Sequence, residues 1–360
     1  MPVDRDAIYT ALKTVEDPDL GRDLVSLNMI KDVEIDDNGR VNVTVVLTTP
    51  ACPLKARIEQ DVKAAVMRAP GVKRVTVNMG SDVSPMQRPP EYARTVRNII
   101  GIASGKGGVG KSTVAVNAAI ALAQSGARVG LLDADMYGPN IPLMLGMCGE
   151  QPQIVSRKGD DGADIDMIIP PVKHGIKVMS MGFLTGDDTP VIWRGPMLNS
   201  ALRQFLRQVD WGDLDYLIVD LPPGTGDIQI SLIQLVRVTG IVHVTTPQQA
   251  ALQDVRKTIM MFLSQNIPLL GVVENMSYFV CPHCHERTEI FSCGGGEQLA
   301  AEYGIAFLGS IPLAPEVRAA GDDGTPVVVS NPGSVQARKL IGAAEQLAAQ
   351  VSKLNYRRSA

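Results

Sequence analysis

The sequence predicts an α/β protein with a mostly parallel sheet and helices on both faces, preceded by a small α+β domain. Beyond residue 97, short and almost continuously apolar runs alternate with helical segments, as in a parallel sheet buried on both faces. A glycine-rich loop joins the first of these runs to the first helix. The chain has 360 residues, which is more than one hydrophobic core usually organises, so two domains are expected.

The small domain is predicted to span residues 1–80. Its apolar residues follow a helical period first and then alternate with polar ones, which indicates a helix followed by strands with one buried face. The predicted elements are a helix with Ile8, Leu12 and Val15 on one face, two strands within 33–47 joined at 37–39, a helix over 53–67 and a strand over 72–77. A unit of this size does not by itself suggest an enzyme.

Residues 81–97 are predicted to be a linker, because they contain three prolines and lack periodicity. The second domain is then expected to span residues 98–360, with an insertion of short strands over 150–193, where Gly, Asp and Pro interrupt the rhythm. Its predicted sheet strands are 98–103, 129–133, 216–220, 241–246, 269–274 and 307–311. A terminal helix over 335–354 has an alanine-rich face without large aromatic residues, so we expect it to pack on the sheet.

Composition narrows the classes of function. A formal net charge of -4 gives no general attraction to nucleic acid or to an anionic membrane, and no apolar run approaches the length of about 18 residues that a spanning helix needs. The five cysteines are odd in number, and two form a C-x-x-C pair, which fits a reducing compartment and a metal or redox site. We therefore expect a cytoplasmic protein with no nucleic-acid or membrane partner.

The glycine-rich loop is predicted to bind nucleotide phosphates. Glycine permits backbone conformations that point successive N–H groups at phosphate oxygens, and the following helix N-terminus favours the same negative charge. Lys111 is expected to reach the β- and γ-phosphates, and Ser112 to bind Mg²⁺. The predicted binding residues of the loop are Gly105, Lys106, Gly107, Gly108, Val109, Gly110, Lys111, Ser112 and Thr113.

Three carboxylates follow two of the predicted strands and are candidates for the same site. Asp220 ends one strand and is expected to contact Mg²⁺ through water, and the Gly224 N–H that follows is positioned to sense a γ-phosphate. Asp133 is assigned to the Mg²⁺ environment, and Asp135 to orienting the attacking water. The alternative is that these carboxylates are ordinary residues at strand ends and turns.

Five motifs follow one another along the second domain. They are Gly-Lys-Gly-Gly-Val-Gly-Lys-Ser-Thr at 105–113, Asp-Ala-Asp-Met-Tyr-Gly-Pro-Asn-Ile-Pro at 133–142, Asp-Leu-Pro-Pro-Gly-Thr-Gly-Asp at 220–227, Glu-Asn-Met-Ser at 274–277 and Cys-Pro-His-Cys at 281–284. In this order they closely resemble the motifs of the Mrp (ApbC) iron-sulfur carrier ATPases, and the resemblance spans about residues 98–345. These ATPases belong to the class with a deviant phosphate loop that includes MinD and the nitrogenase iron protein.

The resemblance implies an ATPase that converts ATP and water to ADP and phosphate. It implies a homodimer with ATP between the subunits, in which Lys106 reaches the phosphates of the partner and acts in catalysis with Lys111 and Asp135. It also implies that Asn275 lies near the adenine and that the loop around Pro312 lines the base. From the bare sequence, Lys106 is equally compatible with a surface position.

Cys281 and Cys284 are the predicted metal ligands. Two thiolates three residues apart bind one metal site, but tetrahedral zinc or a [4Fe-4S] cluster needs four ligands. Two such pairs in a twofold dimer supply four, and the resemblance supports a cluster that bridges the subunits. Two alternatives stay open: an intrachain zinc site completed by Cys293 and either His283 or His285, and plain reduced thiols.

The first domain carries two short motifs, Asp-Pro-Asp-Leu-Gly at 17–21 and Thr-Thr-Pro-Ala-Cys-Pro-Leu at 48–54. With them it resembles the small domain of SufT-like assembly factors, which is often fused ahead of Mrp ATPases. Cys52 precedes a predicted helix start, where free N–H groups favour a thiolate that holds iron or a cluster transiently. An inert, partly buried thiol is the alternative.

Together these predictions describe a homodimeric, ATP-dependent carrier that uses ATP and Mg²⁺. It holds a [4Fe-4S] cluster between its subunits, receives it from cluster assembly factors and delivers it to apo iron-sulfur proteins. One alternative is a MinD-like positioning switch that binds nucleotide and keeps structural zinc at its cysteines, and a second is an assembly scaffold with vestigial hydrolysis.

Overall fold

The structure is a computed structural model that describes residues 3–36, 38–83, 85, 92–135, 138–158, 164–183 and 195–359. It divides into two compact units, one formed by Met1–Ser84 with Ser352–Ala360, the other by Pro85–Val351. Several parts of the sequence predictions lie outside the described residues. They are position 37 of the first turn, positions 84 and 86–91 of the linker, positions 136–137 of the second motif, and positions 159–163 and 184–194 of the insertion.

The first unit is an α+β fold around one sheet of three strands. Strand β3 pairs antiparallel with β4, which pairs parallel with β5. Alternate residues of β4 are buried and pack against the apolar face of α2, as the alternation in the sequence predicts. The elements are α1 (Arg5–Leu12), β1 (Glu16–Asp17), β2 (Arg22–Asp23), β3 (Ile30–Ile35), β4 (Arg40–Leu47), α2 (Lys55–Met67) and β5 (Arg74–Ser81).

The second unit contains the remaining elements. They are β6 (Ile99–Ser104), α3 (Lys111–Gln124), β7 (Val129–Asp133), α4 (Ile141–Met144), β8 (Gln153–Lys158), β9 (Asp164–Ile169), β10 (Val172–Lys173), β11 (Ile176–Ser180), a 3₁₀ turn (Met181–Phe183), α5 (Gly195–Gln208), β12 (Tyr216–Asp220), α6 (Asp227–Leu235), β13 (Gly240–Thr245), α7 (Gln249–Ser264), β14 (Leu269–Glu274), β15 (Phe279–Val280), β16 (Arg287–Thr288), α8 (Gly295–Tyr303), β17 (Phe307–Ser310), α9 (Pro315–Asp322), α10 (Val327–Ser330) and α11 (Val335–Ser359).

The core of the second unit is an eight-stranded sheet in the order β10-β11-β7-β12-β6-β13-β14-β17. All neighbouring strands are parallel except β10, which pairs antiparallel with β11 at the edge. Strands β6, β7, β12 and β13 are buried along their whole length, because their apolar side chains meet helices such as α3 and α7. The fold class predicted from the sequence is confirmed.

Two strands of this sheet were not predicted as sheet strands, β10 at the edge and β11 beside β7. The sequence analysis placed Ile176–Ser180 in an insertion of short strands, but these residues form β11, which pairs parallel with β7 so that Ser180 faces Asp133. Lys177 interrupts the apolar run near its start, so the run lacks the continuous apolar pattern of the other strands, and Ser180 ends it with a buried polar side chain. Strands β8 and β9 form a separate hairpin whose β8 residues are exposed.

The C-terminal helix α11 buries an apolar stripe, as its alanine-rich pattern predicts. The buried apolar residues of this stripe are Ala337, Leu340, Ala343, Ala344, Leu347, Ala348, Ala349 and Val351. Within the first unit, Lys353 Nζ lies 2.7 Å from Asp19 Oδ1 and Arg22 donates to the Tyr356 hydroxyl at 2.5 Å. None of the described helices is long and apolar enough to cross a membrane.

We expect Gly271→Ala to destabilise the second unit more than Gly309→Ala. Both glycines have positive φ values, +149° in β14 and +138° in β17, so both substitutions strain the backbone. A Cβ at Gly271 would also lie 2.5 Å from the Ala306 carbonyl oxygen, whereas no atom of the described residues lies within 4 Å of a Cβ at Gly309. Because of this overpacking, Gly271→Ala should lower the free energy of unfolding by about 1–3 kcal/mol more than Gly309→Ala does. Urea unfolding curves of the two variants measure the difference. Equal losses would contradict this account.

Candidate functional site

The phosphate loop lies between the end of β6 and the start of α3, at the carboxyl edge of the parallel sheet. Gly108 and Gly110 have φ values of +79° and +81°, a region that favours glycine. A Cβ at Gly110 would lie 2.1 Å from Nδ2 of Asn275, and a Cβ at Gly105 would lie 2.4 Å from backbone atoms of α7. Local conformation and close packing therefore both require glycine in this loop.

Lys111 is the centre of a buried cluster of charges. It opens α3, and its Nζ lies 2.8 Å from Asp220 Oδ1 and 3.3 Å from Asp135 Oδ2. Ser112 Oγ donates to the other oxygen of Asp220 at 2.5 Å. Strands β12, β7 and β6 are neighbours in the sheet, so their carboxyl ends bring these residues together.

Asp133 lies deeper than the other carboxylates and is fully buried at the end of β7. Its Oδ2 accepts from Ser180 Oγ at 2.9 Å, and its Oδ1 accepts from the Asp135 backbone N–H at 3.2 Å. Burial and the negative charge of Asp220 raise the pKa of Asp133 to about 8. Burial also raises the pKa of Asp135, although the Lys111 ammonium works in the opposite direction.

A cleft with a volume of 490 Å³ opens beside the phosphate loop. Both Asn275 and Pro312 line it, and Nδ2 of Asn275 donates to the Val109 carbonyl at 2.9 Å. Its lining also includes apolar and charged residues from α4 and α9, such as Leu143 and Arg318. The cleft therefore combines the phosphate loop and its lysines with apolar side chains, an arrangement that suits a nucleotide.

Two further predicted residues lie at the rim of this site. Lys106 is half-buried and lines the cleft, and no hydrogen bond or ion pair within the described part of the chain engages its ammonium group. Gly224, with a φ of +84°, donates its N–H to the Ser104 carbonyl at 2.8 Å. For Gly224 to sense a phosphate, that hydrogen bond would have to break.

The predicted metal ligands lie on a small hairpin formed by β15 and β16. Cys281 is half-buried and Cys284 is exposed. Backbone N–H groups of Cys284 and His283, in that order, hydrogen-bond to the Cys281 sulfur and lower the pKa of Cys281. The turn therefore favours a thiolate at Cys281, which is the form that binds metals.

Cys293 has polar contacts of its own in the structure. Its Sγ accepts from Arg287 Nη2 at 2.9 Å and lies 3.5 Å from Ser277 Oγ. Within the described ranges, no group of three or more His, Cys, Asp or Glu residues is placed to hold a metal ion. The intrachain zinc set considered for the sequence is therefore not assembled here. Cys52, in the first unit, is half-buried and packs against the apolar core beside α2.

Two buried polar residues of the site were missed by the sequence analysis. Ser180 contacts Asp133, and Glu274 accepts hydrogen bonds from Ser277, Gly294 and Gly296. The sequence does contain a signal for both residues. Each is a polar residue at the end of an apolar run, and the same pattern identified Asp133 and Asp220.

Comparisons with known proteins cover nearly the whole chain. Residues 95–348 match the family model described as NUBPL iron-transfer P-loop NTPase, and residues 5–79 match the model described as iron-sulfur cluster assembly protein. An iron-sulfur cluster carrier protein of Synechocystis sp. is 51% identical over 350 residues, which is 96% of this chain and 98% of the relative. The protein of the same name from Deinococcus radiodurans is 49% identical over 349 residues, 96% of this chain and 95% of the relative.

A solved structure also resembles the chain. It is a nucleotide-binding protein of Archaeoglobus fulgidus in complex with ADP, with 38% sequence identity and a TM-score of 0.55. The match covers 65% of this chain and 89% of that chain.

We expect Asp133→Asn to flatten the pH dependence of stability between about pH 4 and 8. Burial and the charge of Asp220 raise the pKa of Asp133 from its ordinary value of 3.8 to about 8 in the fold, so the unfolded chain releases this proton at lower pH. Wild-type stability should therefore fall as pH rises through this window, and the neutral amide should remove that contribution. The measurement is the melting temperature of the wild type and of Asp133→Asn, both in EDTA, at several pH values between about 4 and 8. Parallel pH profiles for the two proteins would contradict the raised pKa.

Proposed function

The chain belongs to the family of NUBPL-type iron-transfer P-loop NTPases, and we propose that it is a homodimeric, ATP-hydrolysing carrier of [4Fe-4S] clusters. The relatives named iron-sulfur cluster carrier proteins match it over nearly their full length, so the family predicted from the five motifs is confirmed. The observation that carries the proposal is the convergence of Lys111, Ser112, Asp135 and Asp220 beside a nucleotide-sized cleft.

We assign ATP hydrolysis to this cleft. Lys111 would bind the β- and γ-phosphates, and Asp135 would orient the attacking water. The Ser112 hydroxyl and the Asp220 carboxylate lie 2.5 Å apart, and oxygen ligands of this kind fit Mg²⁺, which would neutralise phosphate charge there. Asp133 would complete this environment. The related protein solved with ADP supports a nucleotide in the corresponding cleft.

The base would lie between Asn275 and Pro312, at the more apolar end of the cleft. Lys106 is placed at the rim without a partner among the described residues, so its ammonium group is available to a phosphate of a second subunit. In this proposal ATP closes a homodimer through Lys106, and the Gly224 N–H leaves Ser104 for the γ-phosphate. Residues 98–360 would act as the ATPase domain, and residues 1–80 as the assembly-associated domain.

The cluster is the cargo of this protein. The hairpin supplies two thiols and the described chain assembles no third ligand around them, so a second subunit would complete a set of four. Exposure of Cys284 suits exchange with other proteins. Cluster assembly factors would donate the cluster, and apo iron-sulfur proteins in the cytoplasm would receive it.

The first test is the iron, acid-labile sulfide and zinc content after anaerobic reconstitution. We expect about four iron and four sulfide per dimer. Cys281→Ser and Cys284→Ser should lose the cluster because each leaves the dimer with only two thiolates of the set. Cys148→Ser is the matched control, since Cys148 is exposed but lies outside the hairpin, and it should keep the cluster. About one zinc per chain without sulfide would instead favour the MinD-like switch with structural zinc.

A second test separates nucleotide chemistry from cluster binding. Lys111→Ala removes the ammonium that is held between Asp135 and Asp220, and we expect phosphate release to fall by about 10²-fold. ATP-dependent delivery of the cluster to an apo acceptor should be lost with it. Lys257→Ala, which removes an exposed lysine of α7, should leave both activities intact. Unchanged hydrolysis and delivery in Lys111→Ala would show that ATP does not gate the carrier.

A further inference from the structure

Glu274 is a buried carboxylate that joins two segments of the second unit. It ends β14 and is completely excluded from solvent. Its Oε1 accepts from the Ser277 hydroxyl at 2.5 Å and from the Gly294 N–H at 3.0 Å, and its Oε2 accepts from the Gly296 N–H at 2.6 Å. One side chain therefore holds both the segment that enters the cysteine hairpin and the segment that leaves it.

On one side, Glu274 is tied to the nucleotide cleft. The next residue, Asn275, donates to the Val109 carbonyl in the phosphate loop at 2.9 Å. The Glu274 carbonyl accepts from the Ile311 N–H at 2.8 Å, and the Ile311 carbonyl accepts from the Ser277 N–H at 2.9 Å. Because Pro312 follows Ile311 and lines the cleft, the backbone of this segment is fixed to both the phosphate end and the base end.

On the other side, Glu274 is tied to the hairpin that carries Cys281 and Cys284. Gly294 and Gly296 form the start of α8, directly after Cys293. The Cys293 sulfur accepts from Arg287 of β16 at 2.9 Å and lies 3.5 Å from Ser277 Oγ. The Arg287 guanidinium also stacks on Tyr278, 4.1 Å from the ring centroid. The base of the hairpin is thus bound to the groups that Glu274 holds.

The charge of Glu274 is suited to this role. Among the described residues no lysine or arginine forms an ion pair with it, and its carboxylate is stabilised by three donors and by the N-terminal dipole of α8. Glutamine has the same shape but only one acceptor oxygen, and its NH₂ group would face another donor. The carboxylate is therefore required to hold both segments together.

We propose that Glu274 is a positioning residue that couples nucleotide occupancy of the cleft to the geometry of the cysteine hairpin. A shift of the phosphate loop or of the Pro312 wall moves Asn275 and Ile311, and the Glu274 carboxylate passes that shift to Ser277, the start of α8 and Cys293. The inference rests on the proposed function only where it takes the hairpin as the cargo site.

The test is hydrogen exchange of the cluster-free chain, with and without the magnesium complex of AMP-PNP. In the wild type we expect nucleotide to change exchange both in residues 105–113 and in residues 279–293, the latter by about fivefold, the lower end of coupling between sites. In Glu274→Gln the change in 105–113 should remain and the change in 279–293 should disappear. Glu297→Gln is the matched control. Glu297 lies in the first turn of α8, the turn that Glu274 contacts, but its side chain is exposed, so this variant should respond as the wild type does.

Two results would overturn the proposal: a wild type whose hairpin does not respond to nucleotide, or a Glu274→Gln hairpin that responds as the wild type does. If Glu274→Gln fails to fold, Ser277→Ala removes one hydrogen bond of the same link, and a full response in that variant would also overturn it. The iron and sulfide content plays no part in this measurement. Failure of the carrier function would therefore be seen separately.

Discussion

A buried ammonium group, that of Lys111, is the constraint on which the site depends. A charge removed from water must be paired, and here Asp220 and Asp135 provide the pairing. These carboxylates reach Lys111 only because β6, β12 and β7 lie side by side in that order, run parallel and end at the same edge. Asp133 is a further buried carboxyl group of this cluster, and its pKa is raised first by its burial and then by the negative charge of Asp220.

The same constraint explains how phosphates would enter. Lys111 and Ser112 are both engaged by Asp220 in the structure, so a phosphate has to replace a carboxylate at the ammonium group. Asp220 is then free to turn toward a cation with its two oxygens. The exchange keeps the ammonium group paired throughout, which avoids the large penalty of an isolated buried charge.

The sequence predicts those parts of the fold that have a local signal. Residues 129–133, 216–220 and 269–274 are strands with the predicted bounds, because continuous apolar runs and terminal carboxylates mark them. Convergence of Asp133 and Asp220 also follows from parallel strands that end at one edge. The placement of β11 beside β7 and the three donors that meet at Glu274 depend on contacts between distant segments, for which one sequence has no local signal.

The hydrogen bonds to the Cys281 sulfur also affect how readily the cluster-free protein is oxidised. A lowered pKa increases the fraction of thiolate, and thiolates are the thiols that peroxide converts to sulfenic acid. Cys284 lies three residues away and is exposed, so it can condense with a sulfenic acid at Cys281 to give a disulfide. That disulfide is reversible by reductants, whereas further oxidation of an isolated thiol is not. Formation of this disulfide would shield the two thiols from irreversible oxidation while they hold no cargo.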